Sequence, residues 1–85
     1  MLRIEFSKNF EKEYRKLSVK KQDRVEAAIE IFLLDNASPV LRKHALKGRW
    51  LGHFSLSAGG DLRLHFKLIG NIALFVSVGT HSQLY

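Results

Sequence analysis

The amino-acid sequence predicts an α+β fold in the order βααβββ, a helical hairpin packed on one face of a small, mainly antiparallel sheet. Three observations carry this reading. Apolar residues recur at helical spacing as far as Leu33 and at strand spacing from Trp50 onward. Gly59-Gly60 and Gly70-Asn71 punctuate the second half where chain reversals are needed. The 85 residues suit one domain, 1–85, with a modest core.

Leu2-Arg3-Ile4-Glu5-Phe6 alternates and reads as a short strand. Ser7 is a good N-cap for a helix carrying Phe10, Tyr14 and Leu17 on one side. Ser18 caps a second helix with the stripe Val25, Ala28, Ile29, Phe32 and Leu33, which ends over Asp35–Pro39 because Pro39 disfavours helix at Ser38. The tight junction at Leu17-Ser18 makes the pair an antiparallel hairpin.

Three strands follow. Trp50, Gly52, Phe54 and Leu56 alternate with Leu51, His53, Ser55 and Ser57. Leu62, Leu64, Phe66 and Leu68 alternate with Asp61, Arg63, His65 and Lys67. Ile72, Leu74, Val76 and Val78 alternate with Ala73, Phe75, Ser77 and Gly79. The apolar set is even-numbered throughout, so opposed residues must sum to an even number if one face is to stay apolar. Three-residue loops at 58–60 and 69–71 satisfy this. They pair Ser55 with Arg63, His53 with His65, Arg63 with Ser77, and His65 with Phe75. A two-residue Gly70-Asn71 turn mixes the faces and is disfavoured on that ground. Arg63 then sits at the centre of an open polar face flanked by His53, His65, Ser55 and Ser77, while Trp50 falls on the core side.

The charge is lopsided. The net charge is +6, with eight Lys/Arg against seven Asp/Glu in residues 1–41 and six against one, Asp61, in 42–85. All four histidines, His44, His53, His65 and His81, lie in the second part. Such a surface suits a polyanion, with nucleic acid the leading candidate and an acidic protein also compatible. Cysteine is absent, which excludes disulfides and thiolate metal sites and fits a reducing compartment. No apolar run approaches the roughly 20 residues of a membrane span. The N-terminus alternates charged and apolar residues, unlike a signal peptide, so a cytoplasmic protein with no membrane partner is expected.

Residues 42–49 read Arg-Lys-His-Ala-Leu-Lys-Gly-Arg. Arg42, Lys43, Lys47 and Arg49 are candidate phosphate contacts, with His53, His65 and Lys67 added from the polar face. A solvated loop is the plainer account of such a run. Arg63 can hold a phosphate through two parallel hydrogen bonds, or pair with Asp61 or Glu5. His44 and His81 can move protons near neutral pH, or simply lie exposed. Tyr85 can stack on a base, donate a proton or pack on the sheet, and Trp50 and Phe75 share that ambiguity. His53 facing His65 lacks an evident third ligand, so neither a metal site nor a cofactor is expected. No nucleophilic cysteine, phosphate-cradling glycine loop, paired carboxylates or Ser-His-Asp pattern appears. His, Arg, Lys, Tyr and Asp61 suffice for RNA cleavage without a metal. The substrate's 2′-hydroxyl attacks the adjacent phosphate, and the protein takes one proton, gives another and stabilises the added charge.

Several segments resemble toxins of bacterial type II toxin–antitoxin modules in the RelE/YafQ group. They are His44-Ala45-Leu46-Lys47-Gly48-Arg49-Trp50-Leu51-Gly52, Gly60-Asp61-Leu62-Arg63-Leu64, Val78-Gly79-Thr80-His81-Ser82-Gln83-Leu84-Tyr85 and, less specifically, Phe6–Lys12. The resemblance spans nearly the whole chain. It implies the RelE-like βααβββ fold, ribosome-dependent cleavage of mRNA, and neutralisation by a cognate antitoxin in a hetero-oligomer. His44 and His81 resemble the YafQ histidines, Asp61 the YafQ acid, Arg63 a RelE arginine, and Tyr85 the terminal aromatic of both. The division this implies makes His81 the acid, His44 or Asp61 the base and Arg63 the phosphate anchor, with acid and base exchangeable. The chain departs from the YafQ pattern at Ser57, where a second histidine is usual, and at Ser77, where an arginine is usual. The alternatives are a ParE-like toxin acting on DNA gyrase, or a catalytically weakened member that still binds an antitoxin.

Overall fold

Ser7 ends the first strand and starts the first helix with one side chain. In the computed structural model, which describes residues 2–85, its Oγ accepts the Phe10 N–H at 3.0 Å and donates to the Val76 carbonyl at 3.3 Å. Met1, included in the single-domain reading, lies outside the described residues. The first strand is Arg3–Phe6 (β1) and the helix is Lys8–Arg15 (α1). Ser18 caps Val19–Leu34 (α2) by accepting the Lys21 N–H at 3.3 Å. Both caps fall where the sequence predicts them. The Tyr14 hydroxyl donates to Glu26 across the helical hairpin, and that hydrogen bond, with desolvation and the neighbouring acids, pushes the phenol up to about 12.

Of the stripe on α2, Val25, Ala28 and Phe32 are buried and Ile29 is half-buried, but Leu33 is 61% exposed. The buried stripe is therefore narrower than the sequence suggests. Phe10 joins it, and both helices pack on a five-stranded sheet of order β1-β5-β4-β3-β2. The added strand is His44–Ala45 (β2), a two-residue edge. The others are Phe54–Ser57 (β3), Leu62–Ile69 (β4) and Ile72–Thr80 (β5). β1 runs parallel to β5 and the remaining pairs are antiparallel. Thr80 is followed by one helical turn, His81–Leu84 (α3).

The sheet corrects the predicted register in two places. Between β3 and β4 the sum is even, as required, but the alignment moves along by one pair. Ser55 faces His65, Ser57 faces Arg63, and Phe54 faces Phe66. His53 does not oppose His65. Between β4 and β5 the disfavoured two-residue turn is the one adopted. Ile69 pairs with Ile72, and Gly70 takes a positive φ of 60°, which suits the first central position of a tight hairpin. The faces do mix, and a β-bulge restores them. Phe66 pairs with Phe75, but His65 pairs with Ser77, leaving Val76 as the extra residue.

The bulge reverses the parity of β5. Before it, Ala73 and Phe75 point into the core; after it, Val78 does. The expectation that Ile72, Leu74 and Val76 form the core face is corrected accordingly: these three are half-buried. Phe75 becomes the hub of an aromatic core, with ring centroids 5.1 Å from Phe66, 5.5 Å from Phe32 and 5.9 Å from Phe10. Such pairs add about 0.5–1.5 kcal/mol each beyond burial.

α1 satisfies the backbone that the bulge disturbs. The Val76 carbonyl accepts from Ser7 Oγ and from Asn9 Nδ2, the latter at 2.9 Å. Glu13 accepts the Ser77 hydroxyl at 2.6 Å and the Val78 N–H at 3.1 Å. Glu13→Ala strands both donors in a largely buried setting. It should lower unfolding free energy by about 1–3 kcal/mol, seen as a reduced urea midpoint with unchanged m value. A midpoint equal to that of the parent protein would show that the bulge holds without α1.

Candidate functional site

The outer face of the sheet, away from the helices, carries the candidate residues. Directly opposed residues share a face, so the row His44, Ser55, His65, Ser77 crosses β2, β3, β4 and β5 on that side. A second row, Ser57, Arg63, Gly79, lies two residues further along. The centre of the face is therefore His65, and Arg63 is displaced toward the turn at Gly59-Gly60.

His65 is completely buried. Ser55 and Ser77 flank it, and their small side chains leave room for aromatic rings to settle on the imidazole. Trp50 stands edge-on at a centroid distance of 4.5 Å and Tyr85 at 5.2 Å. The Tyr85 hydroxyl and His65 Nε2 share a 3.0 Å hydrogen bond. His65 is thus a covered group and not the open RNA contact read from alternation. Burial, reinforced by His53 and His44, pushes its pKa down to about 4, so the ring is neutral at physiological pH. Its Nδ1, the Ser55 hydroxyl and His53 Nδ1 are buried without a hydrogen-bond partner among the described residues.

Trp50 also departs from expectation. It belongs to a 3₁₀ turn, Gly48–Trp50, and not to a strand, and it lies half-buried on the outer side. Its Nε1–H donates to the Leu84 carbonyl at 3.0 Å, and Arg49 Nη2 donates to the same oxygen at 3.4 Å. These bonds tie the cationic segment to the end of the chain. The Gly-Thr-His segment explains how the chain reaches that point. A Cβ on Gly79 would lie 2.9 Å from Gln83 Oε1, so a larger residue there would displace the Gln83 side chain. Gln83 then accepts the Thr80 N–H at 2.8 Å.

That fold-back brings several candidates together. The His81 N–H donates to the Asp61 carbonyl at 2.8 Å, and the Tyr85 ring lies against the His81 ring at 4.3 Å. Both His81 and Asp61 are exposed. Arg63 Nη1 donates to the Gly60 carbonyl at 2.8 Å, the Leu62 carbonyl at 3.0 Å and Ser57 Oγ at 3.3 Å. Its guanidinium is folded onto the turn, not extended from the centre of the face. Neither ion pair weighed for it forms; the one found among the described residues joins Arg3 to Glu5 at 3.9 Å.

His44 stands apart, two strands from His65, or roughly 10 Å at the backbone. Its Nδ1 lies 3.1 Å from the Arg42 carbonyl. A carbonyl only accepts, so Nδ1 is the donor in this bond, which leaves Nε2 as the exposed nitrogen open to take or give a proton. Arg42, Lys43, Lys47 and Arg49 are exposed beside it, with Arg42 in a left-handed conformation at φ 49°. His53 is half-buried against Trp50 at 5.3 Å, and Lys67 is half-buried further along β4. Sequence reasoning missed Trp50 as a cover and Glu13 as the support of Ser77. The small residues on either side of His65 were the available signal for a cover.

A helical hairpin on one face of this sheet, with a basic and histidine-bearing outer face closed by a C-terminal turn, is the build of toxins from bacterial type II toxin–antitoxin systems. The chain belongs to the YafQ family: the model of that family, described as the bacterial toxin of a type II toxin-antitoxin system, YafQ, matches residues 2–85. No curated protein matches by sequence. Among solved structures, YafQ from E. coli BL21(DE3) superposes with a TM-score of 0.78 at 25% identity, covering 100% of this chain and 99% of that one. YafQ in the E. coli DinJ–YafQ toxin–antitoxin complex gives 0.75 at 27%, covering 99% and 97%. The Staphylococcus aureus YoeB–YefM complex gives 0.72 at 20%, covering 95% and 98%, a likeness of fold alone. No helix among the described residues is long and apolar enough to cross a membrane.

The depressed pKa of His65 makes stability depend on pH. Above pH 6.5 the imidazole is neutral whether the chain is folded or unfolded. Between 6.5 and about 4 the unfolded chain binds the proton and the folded one resists it, so stability falls as pH falls, by up to about 3 kcal/mol. Urea titrations at pH 7, 5.5 and 4.5 should show this loss in the parent protein and a smaller one in His65→Gln. Parallel pH profiles for the two proteins would contradict it.

Proposed function

We propose that this chain is an mRNA interferase, a ribosome-dependent endoribonuclease of the bacterial cytoplasm held inactive by a cognate antitoxin in a hetero-oligomer. The observation that carries the reading is the closure at the end of the sheet. There, the His81 N–H bonds the Asp61 carbonyl, the Tyr85 ring lies against His81, and Arg49 of the basic segment bonds the Leu84 carbonyl next to Tyr85. Family membership supports the toxin part of the reading, and the solved YafQ in complex with DinJ supports the antitoxin part.

The chemistry needs no group beyond the protein's own. The 2′-hydroxyl oxygen attacks phosphorus as a base takes its proton, and the P–O5′ bond breaks as an acid protonates the leaving oxygen. The products are a 2′,3′-cyclic phosphate and a 5′-hydroxyl. His81, exposed and lying against the tilted Tyr85 ring, is the acid. His44, with Nε2 as its basic nitrogen, and Asp61, adjacent to His81, are the candidates for the base. Arg63 keeps Nη2 and Nε for a phosphate while Nη1 holds the turn. Arg42, Lys43, Lys47 and Arg49 supply the salt-sensitive attraction for RNA, with His53 and Lys67 at its margin.

A second reading, an antitoxin-binding member with weakened catalysis, has one specific observation in its favour. The two positions that depart from the YafQ pattern have structural partners here: Ser77 binds Glu13, and Ser57 binds Arg63.

Two experiments separate the readings. His81→Ala should abolish growth arrest on induction and remove cleavage ends from translated mRNA; undiminished arrest would exclude His81 as the acid. An induced parent protein that leaves mRNA intact would favour the weakened reading, and double-strand DNA breaks would instead indicate gyrase. Arg63→Ala should weaken RNA binding and flatten its dependence on log salt by about one counterion's worth. Identical slopes would remove Arg63 from phosphate binding.

A further inference from the structure

We propose that His65 is a positioning residue: its buried imidazole holds the Tyr85 hydroxyl and thereby sets the ring of Tyr85 against His81. The inference rests on the ribonuclease reading for its catalytic consequence, though not for its geometry.

Tyr85 is 47% exposed and lies at the end of a single helical turn. Its backbone N–H reaches the His81 carbonyl at 3.0 Å, which fixes the chain but not the ring. The ring's polar anchor is His65 Nε2 at 3.0 Å. A phenol of this size pivots about two side-chain torsions. Pinning the hydroxyl at one end and the Cα at the other removes that freedom. The ring face then lies 4.3 Å from His81, tilted by 31°. Held in this way, the Tyr85 ring limits the rotamers open to the exposed imidazole.

His65 can do this because it is itself immobile. It sits in the middle of β4, at the edge of Trp50, with serines as both cross-strand neighbours. Trp50 is in turn fixed by its bond to the Leu84 carbonyl, one residue from Tyr85. The anchor and its cover thus hold the same short segment from two sides. A nonpolar residue at 65 would fill the same space and keep the sheet. It would leave the phenol without its partner and free to swing outward. His65 touches no reacting atom, so its effect must pass through Tyr85 and His81.

The test uses His65→Leu, Tyr85→Phe, their double variant and His65→Gln, whose amide nitrogen can take the place of Nε2. Two quantities are measured on each folded protein. One is the NMR shift of the His81 ring protons, which the Tyr85 ring current moves from the values of a free histidine. The other is kcat for cleavage of translated mRNA. We expect His65→Leu and Tyr85→Phe each to lose the His81 ring-current shift and to lower kcat by about 10- to 100-fold, the range for a small misplacement of a catalytic group. The double variant should lose no more than either single one, and His65→Gln should retain the shift and most of the rate. Unchanged His81 shifts in Tyr85→Phe, or additive losses in the double variant, would overturn the proposal. If His65→Leu does not fold, Tyr85→Phe decides alone, since it removes the same bond from an exposed position. If the parent protein cleaves no RNA, the ribonuclease reading fails, and the His81 shifts still decide whether His65 positions Tyr85.

Discussion

One surplus residue governs this molecule. Val76 has no partner across the β4–β5 ladder, and its presence turns every later residue of β5 over. Without it, a two-residue turn at Gly70-Asn71 would bury Ser77 in the core or expel Phe75 from it. With it, Phe75 joins the aromatic core while Ser77 opposes His65 on the outer face. A bulge disrupts local pairing, and the protein answers with α1: Ser7, Asn9 and Glu13 bond the backbone at Val76 and Val78 and the Ser77 hydroxyl. The first helix thus supports the outer face from a distance. That link runs from the helix cap through strand register to the placement of His65.

The outer face has a layered construction. Small serines form its floor beside His65, and Trp50 and Tyr85 form a cover over the imidazole. The exposed His81 lies against the Tyr85 side of that cover and Arg49 against its Trp50 side. Burial keeps the His65 ring neutral, and the Tyr85 hydroxyl gives its Nε2 a hydrogen-bond partner. The Leu84 carbonyl, which accepts from both Arg49 and Trp50, joins the basic segment to α3 across 34 or 35 residues of sequence. Two stretches that carry the family resemblance, His44–Gly52 and Val78–Tyr85, are therefore one physical unit.

Much of this was legible in the sequence, for reasons that also explain what was not. Ser7 and Ser18 announced both helix starts because capping is local chemistry. The period change after residue 50 announced the meander because a half-buried strand must alternate. The parity rule was a sound constraint on β3–β4, where only the alignment moved. On β4–β5 it led to the wrong turn because an inserted residue satisfies it equally well, and the support for that insertion comes from Glu13, 64 residues away. β2 escaped because two residues carry no period. His65 was assigned to the correct face but not to its interior, since alternation says which way a side chain points and not what lies over it. The cover comes from Trp50, whose 3₁₀ turn took it out of the strand pattern, and from Tyr85, which the helical turn after Thr80 carries back over the sheet.

The edges of the sheet have a consequence for how the protein behaves among copies of itself. Unpaired strand edges invite other chains to add on. One edge strand has four residues and the other only two, and α1 occupies the side of β5 beyond β1. A further unpaired stretch is the tip of β4, since β3 pairs with it only as far as Phe66. There Leu68 and Ile69 are about half exposed, and Lys67 precedes them. A charge beside an unpaired edge disfavours the addition of another strand, and Lys67 supplies one at that spot.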